Sequence, residues 1–196
     1  MVGKWFLRAG ECGSPPEGPK KNGRTEEPSA GIIDSQSVKG TAESAEESGF
    51  DGWKKVKGRK HLIVTDTTGC VLAVGVHAAN VHDSQGAYLL FRTLFNSVST
   101  VRRVWADQAY QGEELATWVK DTFACELEIV KRTAKAFTVL PRRWVVERTL
   151  AWLSRYRRLV RVYEKRVASS VAMIWVASLR ILLKKLYPSL DEESRV

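Results

Sequence analysis

Cysteine and histidine are scarce in this 196-residue chain, which contains three residues of each. Cys12, Cys70 and Cys125 are widely separated and match neither the spacing of a zinc site nor a disulfide framework. The same scarcity excludes a secreted domain held together by disulfides, because such domains are rich in paired cysteines. We therefore expect a protein of the reducing cytoplasm.

Long hydrophobic runs are also missing. The most apolar segment, residues 171–183, is short and contains Arg180, so we interpret it as a buried helix. The first residues include Lys4 and Arg8 and no apolar stretch of signal-peptide length. We expect neither a membrane anchor nor a secretory signal.

Acidic residues are outnumbered, with 22 Asp and Glu against 31 Lys and Arg, which gives a formal net charge of +9. The excess is concentrated in residues 131–166, where twelve basic and two acidic residues give a net charge of +10. Basic charge clustered in this way is typical of a surface that binds a phosphate backbone. The sequence therefore predicts nucleic acid as a partner.

The hydrophobic pattern predicts one domain of alternating strands and helices. Residues 1–30 mix Gly, Pro, Lys and Glu without a period and are expected to be a disordered leader or a truncated remnant, while residues 188–196 form a tail. Residues 31–187 are interpreted as a strand, a hairpin of two strands, a helix, a strand, a helix, a strand and two helices. This order predicts an α/β fold with a mixed five-stranded sheet flanked by helices.

The segment from Pro141 to Arg166 is predicted to be a single amphipathic helix, because apolar residues recur at helical spacing and neither Gly nor Pro interrupts it. Glu147 is a lone carboxylate among the arginines of its first half. An ordinary ion pair with an arginine one turn away would account for it. A metal-binding role requires further carboxylates from elsewhere in the chain.

Two aspartates supply such carboxylates. Asp34 follows two isoleucines in the first predicted strand, and Asp107 lies at the carboxyl end of a later one. Each alone could be a turn or capping residue, as we predict for Asp66 and Asp83. Acids beside buried apolar residues are costly unless they are neutralised, paired or metal-bound. Carboxylates without clustered Cys or His favour Mg²⁺ or Mn²⁺, and three of them can hold two ions suited to phosphodiester displacement.

The segments that contain these acids resemble the DDE transposases of bacterial insertion sequences, in the branch of insertion sequences four and five. They are Ile-Ile-Asp-Ser-Gln-Ser-Val-Lys, Gly-Phe-Asp-Gly-Trp-Lys-Lys-Val-Lys-Gly-Arg-Lys-His, Ala-Asn-Val-His-Asp, Trp-Ala-Asp-Gln-Ala-Tyr and Arg-Trp-Val-Val-Glu-Arg-Thr-Leu-Ala-Trp-Leu. The resemblance implies a ribonuclease-H-like fold in which Asp34, Asp107 and Glu147 are the catalytic and metal-binding residues. It also matches Arg143 to the arginine of the family's signature around the third acid.

The resemblance further implies Mg²⁺-dependent cleavage and strand transfer of double-stranded DNA, at the ends of an insertion element and at a target. A homo-oligomer assembled on DNA would do this in the nucleoid of the cytoplasm. The expected DNA-contacting residues are basic and lie in two segments: Lys54, Lys55, Lys57, Arg59, Lys60, Arg142, Arg143, Arg148, Arg155 and Arg158. Trp144 and Trp152 are expected to pack rather than to stack on bases.

The sequence departs from the family pattern in two respects. The signature in much of this group has a tyrosine seven residues before the glutamate and a lysine seven after it, where this chain has Leu140 and Ser154. Relatives also carry an N-terminal helical region that recognises the element's end, which residues 1–30 do not resemble. Two alternatives therefore stay open: a catalytically silent DNA-binding remnant of a transposase, and a ribonuclease-H-like nuclease that cuts without joining.

Overall fold

The structure is a computed structural model that describes residues 27–44, 47–130 and 143–187. Most of the predicted leader and all of the predicted tail lie outside these ranges, as does Arg142. The described strands and helices are β1 (Ala30–Lys39), β2 (Gly49–Asp51), β3 (Val56–Asp66), β4 (Val71–Ala78), α1 (Asp83–Ser97), β5 (Arg103–Ala106), α2 (Glu113–Phe123), β6 (Glu126–Ile129), α3 (Trp144–Leu153) and α4 (Val167–Leu186).

All six strands belong to one mixed sheet. β3 lies between β1 and β4 and is antiparallel to both, while β5 and β6 extend the sheet beyond β1 as parallel strands. The predicted α/β class, with a mixed sheet flanked by helices, is confirmed. β2 adds a sixth strand to the five that the sequence predicts, because three residues are too few to show a periodic pattern.

Both faces of the sheet are covered by helices. Ile32 and Ile33 are adjacent in β1 and point to opposite faces, as alternation along a strand requires. Ile33 packs with residues of α1 and α2, including Leu90 and Leu115. Ile32 packs on the other face with residues of α3 and α4. The resulting pair of cores explains why the central strands are apolar on both sides.

The helix predicted from Pro141 to Arg166 is much shorter in the structure. α3 ends at Leu153, and a short 3₁₀ turn follows at Arg157–Leu159. The backbone N–H of Val162 then donates to the carbonyl of Lys39 (2.9 Å), at the end of β1. Hydrogen bonds to the sheet therefore replace those of a longer helix, and local periodicity contains no information about them.

Arg59 and Lys60 are buried in β3, which corrects the prediction that they contact DNA. The Arg59 guanidinium donates to the carbonyls of Glu164 (2.9 Å) and Lys165 and to Ser170 Oγ (3.0 Å). Lys60 Nζ donates to the carbonyl of Val81 (2.8 Å). A phosphate could reach neither group without breaking these bonds, so both side chains hold the fold together.

The long helix α4 covers the outer strand β4 with residues that include Ile174, Trp175 and Ala177. By length and composition alone, α4 is the one helix among the described residues that could cross a membrane. One face of α4 packs in the core on the sheet, whereas Val176, Leu179 and Leu183 are exposed on the rest of the helix, so the predicted buried helix is buried only in part.

Candidate active site

Asp34 and Asp107 lie side by side at one edge of the sheet. The parallel register of β1 and β5 pairs Ile32 with Trp105, and each aspartate is two residues further along its chain. Asp34 is still within β1, whereas Asp107 directly follows the last residue of β5. The carboxyl end of a strand next to parallel neighbours is where open α/β sheets place their sites.

Glu147 approaches the same edge from α3. Val146 and Leu150 of this helix are buried against the sheet in the core that contains Ile32. Glu147 is in the first helical turn, and its side chain is 53% exposed. Packing of α3 on the sheet therefore leaves Glu147 free to face the two aspartates.

Arg143 is the point at which the three carboxylates meet. Its Nη2 atom lies 3.8 Å from Asp34 Oδ2, 3.5 Å from Asp107 Oδ2 and 3.4 Å from Glu147 Oε1. Since all three oxygens lie within 3.8 Å of one nitrogen, no two of them are separated by more than twice that distance. The structure thus brings together three acids that are far apart in the sequence.

Local hydrogen bonds orient the two aspartates. Asp34 Oδ1 accepts from the backbone N–H of Ser35 (2.8 Å), and Asp107 Oδ1 accepts from that of Ala109 (2.9 Å). Asp107 in this way caps the 3₁₀ turn at Gln108–Tyr110. The other oxygen of each carboxylate is directed to Arg143, so a capping role and a role in the site are compatible.

Arg143 itself is buried, with 7% of its surface exposed. The sequence predicts a DNA contact for this residue, and in the structure its guanidinium is surrounded by the three acids. One guanidinium faces three carboxylates, so negative charge exceeds positive charge among these contacts. Burial raises the pKa of Asp34 to about 6, and the negative charges of Asp107 and Glu147 add to the rise. The hydrogen bond from the Ser35 N–H and the positive charge of Arg143 oppose it.

A polar network that the sequence did not reveal supports β1 beside the site. Ser35 Oγ donates to Asp83 Oδ1 (2.7 Å), which also pairs with Lys60 Nζ (3.1 Å). Asp83 was predicted to cap α1, but His82 is the cap and accepts from the N–H of Ser84. Because the partners are dozens of residues apart, no local signal identifies this network.

The pKa of Asp34 and that of His61 affect stability in opposite directions. Burial of His61 in β3 lowers its pKa from 6.5 to about 4, and its Nε2 atom has no hydrogen-bond partner. Folding therefore favours protonated Asp34 but neutral His61. As pH rises from about 4 to about 6, Asp34 decreases the free energy of unfolding and His61 increases it.

We expect variants of these two residues to change the pH slope of stability in opposite directions. Relative to the wild type, the free energy of unfolding of Asp34→Asn should rise more steeply between about pH 4 and 6, because the opposing Asp34 contribution is removed. The free energy of unfolding of His61→Leu should rise less steeply than that of the wild type, or fall, over the same range. Each substitution should alter the free energy of unfolding across this range by about 3 kcal/mol, because a pKa shift of about two units corresponds to that energy. Urea unfolding of both variants across this range measures the slopes, and equal slopes would contradict the assignment.

The donor set at the site consists of carboxylate oxygens, which suits Mg²⁺ or Mn²⁺. Within residues 27–44, 47–130 and 143–187, no group of three His, Cys, Asp or Glu side chains is placed to hold an ion directly. At the three acids the reason is visible, since the Arg143 guanidinium lies between them. The carboxylate donors and their convergence fit a metal site. The Arg143 guanidinium occupies the centre of that site.

The other predicted DNA-contacting residues lie on two surfaces. Lys54 and Lys55 are exposed in the turn between β2 and β3, and Lys57 is exposed at the start of β3. Arg155 and Arg158 are exposed after α3, and Arg158 pairs with Glu164.

Arg148 is held in place rather than free. Its guanidinium lies 4.5 Å from the ring centre of Trp144 and 4.6 Å from that of Trp152. It also donates to the carbonyl of Thr68 (3.2 Å). The two tryptophans thus form cation–π contacts with one guanidinium, and Trp144 is 43% exposed.

The class of protein follows from this combination of sheet order and site. A mixed sheet with β1 at its centre, helices on both faces and three acids at one end of its parallel strands defines a mixed α/β domain with a carboxylate site. The chain belongs to the transposase DDE domain family, whose sequence profile matches residues 25–182.

Two known proteins illustrate the similarity. The chain is 36% identical over 117 residues to the "Putative transposase for insertion sequence element IS402" of Burkholderia cepacia. That alignment covers 56% of this chain and 55% of the relative, so the chain spans about half the relative's length. The crystal structure of the catalytic core domain of BIV integrase is similar with a TM-score of 0.48 and 12% identity, over 77% of this chain and 81% of that one.

Proposed function

We propose that this chain catalyses Mg²⁺- or Mn²⁺-dependent cleavage and strand transfer of DNA as the catalytic part of an insertion-sequence transposase, in the branch of insertion sequences four and five. The observation that carries the proposal is the convergence of Asp34, Asp107 and Glu147 within 3.8 Å of one Arg143 nitrogen. Family membership supplies the reaction class, and the convergence supplies the site.

Asp34, Asp107 and Glu147 would hold the metal. Bound divalent ions would supply Lewis-acid charge for an in-line phosphodiester displacement. The chain contributes two fixed aspartates, each oriented by a backbone N–H, and a glutamate on a helix packed against the sheet. Burial raises the pKa of Asp34, and the positive charge of Arg143 opposes that rise and so favours the ionised carboxylate that a metal requires.

The lysine-bearing turn between β2 and β3 is suited to hold phosphates near this site. Asp51 fixes the turn, because its Oδ1 accepts from the backbone N–H of Trp53 (3.1 Å) and Lys54 (3.0 Å). Its Oδ2 accepts from Ser37 Oγ (2.6 Å) in β1. Ser37 is three residues beyond Asp34, which is about 10 Å along the strand and, by alternation, on the opposite face of the sheet. We propose that Lys54, Lys55 and Lys57 contact the DNA backbone there.

The test is an assay of DNA cleavage and joining. The substrate is a supercoiled plasmid that carries the terminal repeats flanking this coding sequence, incubated with Mg²⁺, Mn²⁺ or a chelator. We expect free 3′-ends and joined products only with metal, and multimers on DNA that carries paired ends. The assay is run with this chain and with a protein that also contains an N-terminal end-recognition region.

The alternatives predict different products. Free 3′-ends without joined product would select a nuclease that cuts only. DNA binding without metal-dependent turnover, even with the N-terminal region present, would select a silent remnant and end the proposal.

A further inference from the structure

A groove of about 560 Å³ lies between the end of α3 and the second half of α4. Five of its eight lining residues are basic and none is acidic: Trp152, Arg155, Tyr156, Arg157, Arg180, Ile181, Lys184 and Lys185. Of these, only Arg155 was expected to contact DNA from the sequence. Such a concentration of positive charge without a lining carboxylate indicates an anionic ligand.

Aromatic rings hold some of these cations in the groove. Lys185 Nζ lies 5.7 Å from the ring centre of Trp152 and donates to the carbonyl of Thr68 (3.1 Å). The Arg180 guanidinium lies 5.9 Å from the ring centre of Tyr156. Cation–π contacts of this kind restrict the side chains before a ligand arrives, so less conformational entropy is lost on binding.

The arginines of the groove have no acidic partner among the residues that the structure describes. Across the described part of the chain, Arg155, Arg157 and Arg180 take part in none of the ion pairs. Arg158 provides the contrast, since it pairs with Glu164. The charge of the groove exceeds what one small anion could balance, so it fits a ligand with several phosphates.

Its position relates the groove to the three carboxylates. Trp152, which lines the groove, follows Glu147 by five residues within α3, which is about 8 Å along the helix axis. One strand of DNA advances about 3.4 Å per phosphate. A strand with a phosphodiester at the carboxylates would therefore reach the groove within a few nucleotides.

We infer that this groove binds the sugar-phosphate backbone of the DNA strand that leaves the three carboxylates. The inference adds Arg157, Arg180 and Lys184 to the DNA-contacting surface. It rests on the proposed function for the identity of the strand, whereas backbone binding in the groove requires no cleavage.

The test compares two double variants of the full chain that remove the same charge. Arg157→Gln with Arg180→Gln removes two cations of the groove. Arg92→Gln with Arg102→Gln removes two exposed arginines elsewhere, one on α1 and one just before β5. The probe is a labelled random-sequence duplex of about 20 base pairs, and its dissociation constant is measured over a series of salt concentrations.

We expect the groove variant to bind roughly tenfold more weakly, with a salt slope reduced by about two, since each lost phosphate contact removes about one unit. The control variant should keep the affinity and slope of the wild type. Unchanged binding by the groove variant, or equal loss in both variants, would overturn the inference. Loss of self-association with unchanged DNA binding would assign the groove to a protein contact instead.

This outcome is separable from that of the proposed function. Altered DNA binding by the groove variant, in a protein that never cleaves DNA, would leave the groove assignment intact and end the catalytic proposal. Metal-dependent cleavage by the wild type, with DNA binding unaltered in the groove variant, would support the catalytic proposal and end the groove assignment.

Discussion

Asp107→Asn is expected to reduce metal-dependent DNA cleavage by about 10³-fold, because loss of a proposed metal ligand would remove several kcal/mol of transition-state stabilisation. The fold should survive the substitution. Asparagine keeps a side-chain carbonyl that can accept from the Ala109 N–H, as Asp107 Oδ1 does at 2.9 Å. What disappears is the negative charge 3.5 Å from Arg143. Initial rates of plasmid nicking, measured beside circular dichroism spectra, separate the chemistry from folding.

Asp66→Asn is the matched control for this prediction. Asp66 also accepts backbone N–H groups through Oδ1, from Thr68 (2.8 Å) and Cys70 (2.8 Å), in the turn between β3 and β4. The Asp66→Asn variant therefore loses the same charge from a similar local structure outside the site. Its rate of DNA cleavage should stay close to that of the wild type. Full activity in Asp107→Asn, or equal loss in both variants, would remove Asp107 from the proposed catalytic residues.

The sheet could be predicted from sequence because its signals are local. Alternation in β1 and the β-branched runs on both sides of the turn at Gly69 follow directly from strand geometry. Gly69 has a φ of +89°, a conformation that glycine adopts without strain. The end of α3 could not be predicted, because Val162 is bound to Lys39 by hydrogen bonds that join distant parts of the chain.

The site was accessible to sequence reasoning only in part. Asp34 and Asp107 each follow apolar strand residues, which makes an acid conspicuous, and Glu147 is a lone acid among arginines. Which arginines and lysines are buried could not be predicted from the sequence. Basic side chains are mostly exposed, so Arg59 and Arg143 were expected on the DNA-binding surface, yet both are buried by partners distant in sequence.

Arg143→Ala should make the stability of the chain depend on divalent metal. The substitution leaves Asp34, Asp107 and Glu147 facing one another without the guanidinium that lies within 3.8 Å of each. Removing one partner from a buried charge network costs about 3–5 kcal/mol. For a chain of this length, that corresponds to a fall of about 10 °C in melting temperature.

The loss should be largest near neutral pH and without metal. Mutual repulsion requires ionised carboxylates, and the pKa of Asp34 is already raised to about 6 by burial, so acidification should relieve the repulsion. A divalent cation bound by the three acids would replace the missing positive charge and stabilise the folded state by mass action. Mg²⁺ or Mn²⁺ should therefore raise the melting temperature of Arg143→Ala more than that of the wild type.

Arg143→Lys tests whether charge alone is sufficient at this position. A lysine ammonium supplies one positive charge but not the planar set of donors of a guanidinium, so we expect intermediate stability and a smaller metal effect than in Arg143→Ala. The readout is thermal unfolding with a chelator and with each metal, and it needs no DNA. Equal metal-induced shifts in the wild type and both variants would show that Arg143 and the metal do not share a site. In that case the three carboxylates would form an ion-pair cluster of the fold, and the proposed metal-dependent chemistry would lose its structural basis.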